Sequence, residues 1–150
     1  MRIRNYRPAD LQTLYKIDQV CFPPGIAYPK SELMRFITER NSRTWVAESG
    51  DDIIGFLIAS LEAEDTAHIV TIDVVASSRR KGVGKALMGA AEDWAREQRA
   101  TVLYLETAEG NIAAQRFYRA RGYLKVEKVV GYYSNGAAAW VMAKRLHDDS

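Results

Sequence analysis

"SSRRKGVGKALMGAAEDWA", residues Ser77 to Ala95, is the stretch whose reading decides the fold. It follows the β-branched run "HIVTIDVVA" (His68 to Ala76) and carries Arg79, Arg80, Lys81 and Lys85 around Gly82 and Gly84. From about Gly82 to Gln98 its apolar residues recur at helical spacing, so the unit reads strand, glycine turn, helix. A helix start carries partial positive charge and favours Asp or Glu. Four cations there have the wrong sign for the dipole, which makes sense if an anion completes the site. The unit offers such an anion the free N–H groups of a helix start, close approach at glycine and charge-assisted bonds from the basic side chains. Phosphate is favoured at such a place by donors and dipole together.

Two phosphate motifs fail on named residues. A Walker loop, G-x-x-x-x-G-K-[ST], needs glycine where Arg79 stands and Ser or Thr where Ala86 stands. A dinucleotide fingerprint, G-x-G-x-x-G/A, fits Gly82 and Gly84 but meets Leu87 at its third position. The ligand-free alternative is a solvated helix opened by glycine.

Outward from this unit the chain reads as one domain over residues 1–150. "IRNYR" (Ile3 to Arg7) is a strand, and Pro8 opens a helix with Leu11, Leu14, Ile17 and Cys21 at helical spacing. "CFPPGIAYPK" breaks it as a loop, and "SELMRFITE" is a second helix with Leu33, Phe36 and Ile37 on one face. "TWVAE" and "IIGFLIASL" are strands around the turn "SGDD". Past the central helix, "TVLYLET" is a buried strand, and "NIAAQRFYRARG" is a helix with Asn111 as N-cap and Gly122 as C′ residue. "YLKVEKVV" and "AAAWVMAKRL" are closing strands joined by "GYYSNGA". The order β-α-α-β-β-β-α-β-α-β-β predicts an α/β fold with a mixed sheet, since hairpins pair antiparallel and crossovers pair parallel.

Composition excludes several classes. A net charge of +2 is too small to argue for nucleic acid. One cysteine, Cys21, allows no internal disulfide, which suits a reducing compartment. Two histidines and one cysteine give no metal-ligand spacing, so no metal is expected. No apolar run reaches the ~20 residues of a membrane span, and "MRIRNYRPAD" lacks the apolar segment of a secretory leader. The expectation is a cytoplasmic protein, monomer or homodimer, that engages neither membrane nor nucleic acid.

"VVASSRRKGVGKAL" resembles the acetyl-CoA-binding motif of the GCN5-related N-acetyltransferases, [RQ]-x-x-G-x-[GA], filled by Arg79, Gly82 and Gly84. "LYLETAEGNIAAQRFYRARGY" resembles that family's second cofactor segment, N-x-x-A-x-x-x-Y, with Asn111 and Tyr118. The resemblance covers most of the chain. It implies a single-domain fold with a mixed, mostly antiparallel sheet of about seven strands flanked by about four helices. It also implies where acetyl-CoA lies: the pyrophosphate on the backbone of Lys81, Gly82, Val83, Gly84 and Lys85, the pantetheine arm along Ile72, Asp73 and Val74, and Asn111 beside it. Arg79, Arg80, Arg116 and Arg119 stay open as partners of the 3′-phosphate.

Acyl transfer to an amine needs a base for the amine, a donor for the oxyanion and a proton for the leaving thiolate. Glu106 ends an apolar strand, where packing does not call for a carboxylate, and is the candidate base; its plain alternative is a surface charge. Tyr118 is the candidate acid, placed at the cofactor sulfur by the resemblance; its alternative is a core aromatic beside Phe117. His68 resembles a position that some protein N-terminal acetyltransferases use for catalysis; its alternative is structural.

For the acceptor, "CFPPGIAYP" and "GYYSNG" are aromatic loops, and loops carry specificity. Phe22, Tyr28, Tyr132 and Tyr133 are the candidate walls of a groove. The two loops resemble those of protein N-terminal acetyltransferases, closest to the ribosomal-protein-alanine subgroup, which shares L-E-x-x-x-x-N at Glu106 and Asn111. "FPPGIAY" is two residues longer than that subgroup's F-P-x-x-Y, and Gly131 stands where a polar residue often precedes the tyrosines. The acceptor this implies is a protein or peptide N-terminus. A small-molecule amine, a lysine side chain and a non-catalytic acetyl-CoA-binding module are the rival readings.

Overall fold

The computed structural model describes residues 1–146. Seven strands form one sheet: β1 (Arg2–Asn5), β2 (Ser42–Ser49), β3 (Asp52–Ala63), β4 (Thr66–Val74), β5 (Val102–Ala108), β6 (Leu124–Val129) and β7 (Ala139–Arg145). Four helices cover it: α1 (Leu11–Cys21), α2 (Lys30–Thr38), α3 (Val83–Glu97) and α4 (Ile112–Ala120). The element order is the expected one. The sheet order is β1-β2-β3-β4-β5-β7-β6, with β4–β5 the parallel pair and the others antiparallel. Pro8 opens a short 3-10 turn, Pro8–Asp10, before α1 rather than α1 itself.

The sheet is covered on both faces. On one face Leu87, Met88, Ala91 and Ala95 of α3 are fully buried with Leu57, Ala59 and Leu103 of the strands. On the other, Leu14 and Ile17 of α1 and Leu33 of α2 pack with Val46, Phe56 and Ile58. This explains the unbroken apolar run of β3, which is buried from both sides. One carboxylate sits inside the α3 layer. Glu92, 4% exposed, accepts from the Tyr123 hydroxyl at 2.8 Å, Arg121 at 3.1 Å and Lys144 at 3.3 Å, joining α3 to the segment before β6 and to β7.

Two irregularities shape the middle of the sheet. Ile58 pairs with Thr71, but Ala59 pairs with Ile69, so Val70 is an extra residue bulged out of β4. A bulge re-aims the side chains beyond it. Ile69 and Ile72 thus both pack on the α3 side, while Asp73 turns toward α1, where its carboxyl comes near that of Asp18. The second irregularity is that β4 and β5 pair only from Thr66↔Val102 to His68↔Tyr104. Beyond that point β4 runs on to Val74 and β5 to Ala108 without pairing to each other, while β5 stays paired to β7. The sheet splits there into a cleft.

Candidate active site

The cleft opens beside the glycine turn. After β4 a 3-10 turn, Ala76–Ser78, leads through Arg80 (φ 62°) and Gly82 (φ 83°) into α3 at Val83. Gly82 supplies the left-handed backbone such a turn needs. Ala86 N–H is bonded to Gly82 O, so the amides of Val83, Gly84 and Lys85 precede the first intrahelical bond. The first turn holds neither an acidic residue nor a side-chain cap, and Arg80, Lys81 and Lys85 are exposed around it. Arg79 folds back instead. Its Nε donates to Val74 O at 3.0 Å and its Nη2 to Cys21 Sγ at 3.7 Å, pinning the end of β4 to α1. A Cβ on Gly84 would lie 3.2 Å from Phe117 Cζ, so this glycine also lets α3 approach α4.

Tyr118 comes from α4 and is 8% exposed, in edge contact with Phe117 (5.4 Å) and Tyr123 (6.1 Å). Burial, with the nearby Asp73 carboxyl and Tyr133, raises its pKa and keeps the phenol protonated. Asn111 is the N-cap of α4 as the sequence predicts: its Oδ1 accepts from Ala114 N at 3.2 Å, and Asn111 is exposed. Gln115, which the sequence did not single out, donates to Ala108 O (3.1 Å) and Glu109 O (2.9 Å), fastening α4 to the end of β5.

Glu106 stands in the cleft on β5, its side chain 13% exposed. His68 Nε2 lies 2.7 Å from its Oε1, and His68 Nδ1 lies 3.3 Å from Glu62 Oε1, so the imidazole bridges two carboxylates. Tyr104 stacks on that ring at 4.4 Å. Tyr132 lies within reach of the Glu106 charge. Burial and the Glu106 charge push the Tyr133 phenol up to about 12 and raise Tyr132 as well. Tyr28 is raised by burial, by Tyr132 and by Glu106. A single carboxylate thus lies within the electrostatic reach of His68 and of three candidate groove residues.

The two aromatic loops touch. Ser134 Oγ donates to Gly25 O at 2.9 Å, and a Cβ on Gly25 (φ 86°) would fall 2.6 Å from Asn135 Cβ. Tyr132 and Tyr133 make an edge pair at 4.9 Å. Tyr28 is held at both backbone ends by α1: its N–H donates to Asp18 Oδ2 at 2.7 Å, and Gln19 Nε2 donates to its carbonyl at 2.8 Å. Its hydroxyl donates to the carbonyl of the bulged Val70 at 3.3 Å. Phe22 ends α1, its N–H on Asp18 O at 3.1 Å, and adds no polar group to this ring. The structure therefore brings Tyr28, Tyr132 and Tyr133 to Glu106 from loops about a hundred residues apart in sequence, with Tyr118 entering from the α4 side.

The model described as "Acetyltransferase (GNAT) family" matches residues 11–123. An N-alpha-acetyltransferase of Sulfurisphaera tokodaii is 29% identical over 97% of this chain and 93% of its own length. Streptothricin acetyltransferase of Streptomyces lavendulae is 39% identical over 57% of this chain and 46% of its own. The crystal structure of Ard1 from Thermoplasma volcanium superposes with a TM-score of 0.89, at 27% identity and 98% coverage of both chains. The chain belongs to the acetyltransferase (GNAT) family and is an enzyme that takes its acetyl group from acetyl-CoA.

Proposed function

We propose that this enzyme acetylates the N-terminal α-amine of a peptide or protein, with Glu106 as base and Tyr118 as acid. The observation that carries the proposal is convergence. One carboxylate stands at the split between β4 and β5, under two touching aromatic loops, and a buried phenol enters from the other side.

The cleft fits the cofactor part by part. Lone amides at Val83, Gly84 and Lys85, ringed by Arg80, Lys81 and Lys85, suit a pyrophosphate. The edge of β4 over Ile72, Asp73 and Val74, which lacks a β5 partner, offers N–H and C=O groups to the amides of a pantetheine arm. Bound there, acetyl-CoA supplies an activated acyl carbon and a thiol leaving group. Glu106 accepts a proton from the acceptor ammonium, and His68, bonded to it at 2.7 Å, fixes the carboxylate's orientation. Tyr118 holds its proton in the cleft, kept there by burial. Tyr28, Tyr132 and Tyr133 orient the acceptor. Arg79, folded onto Val74 and Cys21, shapes the turn rather than reaching for phosphate.

An α-amine titrates near ~7.7–8.0 and a lysine near ~10.4, so a carboxylate base serves the first more readily at neutral pH. The relatives named N-alpha-acetyltransferase support this acceptor class. The partial match to streptothricin acetyltransferase favours a second reading, a small-molecule amine such as a polyamine or an antibiotic. Against it, residues 22–30 and 131–136 contain no Asp or Glu to meet a polycation. Peptides with free N-termini, assayed with acetyl-CoA beside N-blocked peptides carrying internal lysines, test the proposal. Acetylation of free N-termini is expected. Transfer confined to lysines or to streptothricin-like amines would overturn it.

A further inference from the structure

Asp18 of α1 and Asp73 of β4 are 0% and 1% exposed, and their carboxyls are close enough to act on each other. One oxygen of each has a donor: Tyr28 N–H on Asp18 Oδ2 at 2.7 Å, and the Thr71 hydroxyl on Asp73 Oδ1 at 2.6 Å. The remaining two, Asp18 Oδ1 and Asp73 Oδ2, are buried and receive no N–H or O–H from any other of the described residues. Two ionised carboxylates in that arrangement would repel in a dry interior and leave two oxygens unsatisfied. A single proton between the two oxygens removes both problems.

We propose that Asp18 and Asp73 share one proton, and that this proton pins the acceptor loop, through Tyr28, to the cofactor strand β4, so that acceptor binding weakens when the proton is lost. The loop part of this inference rests on the acceptor reading given above. Asp73 and Asp18 are positioning residues here: they act through Tyr28, whose backbone Asp18 holds and whose ring lines the Glu106 group.

The surroundings of the pair are mixed. β3 sets the apolar Phe56 opposite Asp73. From α1, Cys21 faces the pair, with its thiol pushed up by burial and by Asp73. From α4 comes the phenol of Tyr118, from the loop Tyr28, and from β4 itself the Thr71 hydroxyl. Arg79, from the turn after β4, is a cation acting on Asp73, and it is exposed and bonded elsewhere. Burial and Asp18 outweigh Arg79 and Thr71, so the Asp73 carboxyl lies well above the usual carboxylate range. A group raised on folding gives stability that is full below its unfolded value, about 3.9 for Asp, and is lost as pH rises through its folded value.

Asp73→Asn and Asp18→Asn each place an amide N–H where the shared proton lies and keep an oxygen for Thr71 or Tyr28. Neither variant can lose that hydrogen. Urea unfolding and acceptor-peptide KM are measured from pH 5 to 9 for wild type and both variants. The wild-type unfolding constant is expected to rise relative to either variant's by up to about tenfold per pH unit within the window between unfolded and folded values. The ratio of wild-type to variant peptide KM stays level within that window, where the folded enzyme still holds the proton, and rises at the pH where the unfolding ratio levels off, with titration of the peptide's own amine cancelling in the ratio. Parallel unfolding curves for wild type and variants would overturn the shared proton. An unfolding ratio that levels off with no rise in the KM ratio at that pH would overturn the positioning role. If one variant fails to fold, the other reads the same quantity. If no peptide is acetylated by any form, the acceptor reading fails and the loop part falls with it, while the unfolding curves still decide the proton.

Discussion

Glu92 and Glu106 are both largely withdrawn from water, yet they do opposite things. Glu92 is enclosed by a phenol, a guanidinium and an ammonium that approach from different elements and saturate its oxygens. Glu106 has His68 as a bonded partner, with Tyr132 nearby, and faces a cleft where the sheet has come apart. A carboxylate surrounded by donors on fixed elements is a fastener. A carboxylate with fewer fixed donors beside an open edge can take up a proton from something that enters. The difference lies in the donor count and in the local sheet pairing, not in the residue type or in burial alone.

The largest expected effect sharpens this contrast from the Glu106 side. Glu106→Gln keeps size and removes basicity, so kcat should fall about 10²–10⁴-fold, the usual worth of a positioned base, with Tm nearly unchanged. The fastener should respond the other way. Glu92→Ala strands Arg121 and Lys144 and leaves the Tyr123 hydroxyl without its acceptor. Stability should drop by about 3 kcal/mol, the lower end for breaking a buried pair because both cations keep some water contact. Urea denaturation measures the loss, and kcat per folded molecule should hold. A Glu92→Ala enzyme of normal stability would remove the distinction.

Smaller effects probe the surroundings of each carboxylate. Tyr118→Phe deletes one buried hydroxyl from the Glu106 cleft and should lower kcat by about tenfold to a hundredfold at unchanged acetyl-CoA affinity, below the full range for acid catalysis. Gly25→Ala adds a Cβ 2.6 Å from Asn135 Cβ at a positive φ, prying the two aromatic loops apart. Peptide KM should rise several-fold while acetyl-CoA binding, measured by calorimetry, stays put. An unchanged peptide KM would mean that loop contact does not shape the acceptor site.

The element order, the mixed sheet and the glycine turn were legible because each rests on local signals: β-branched runs, helical spacing from Gly82, and Asn111 and Gly122 at the two ends of α4. Glu106 stood out as a carboxylate in an apolar run, although β5 does not end there and continues to Ala108. What the sequence did not reveal is set by pairing across distance. "HIVTIDVV" reads as a regular strand, and only its register against β3 exposes Val70 as an extra residue. The bulge then sends Asp73 toward Asp18, fifty-five positions earlier, so its side chain bears on α1 as well as its backbone on the cleft. Arg79 looked like one of four equivalent cations, yet its guanidinium is spent on Val74 and Cys21. Nothing local in the sequence marks Glu92 as buried, because Tyr123, Arg121 and Lys144 close on it from segments far along the chain.

The central claim is that Glu106 takes the proton of an acceptor amine. Single-turnover acetylation of a free N-terminal peptide by the Glu106→Gln enzyme, preloaded with acetyl-CoA and followed by mass spectrometry, tests it most directly. The transfer step should slow by at least about a hundredfold, with acetyl-CoA bound as tightly as in wild type. A transfer step within about twofold of wild type would contradict it and reassign the carboxylate to structure.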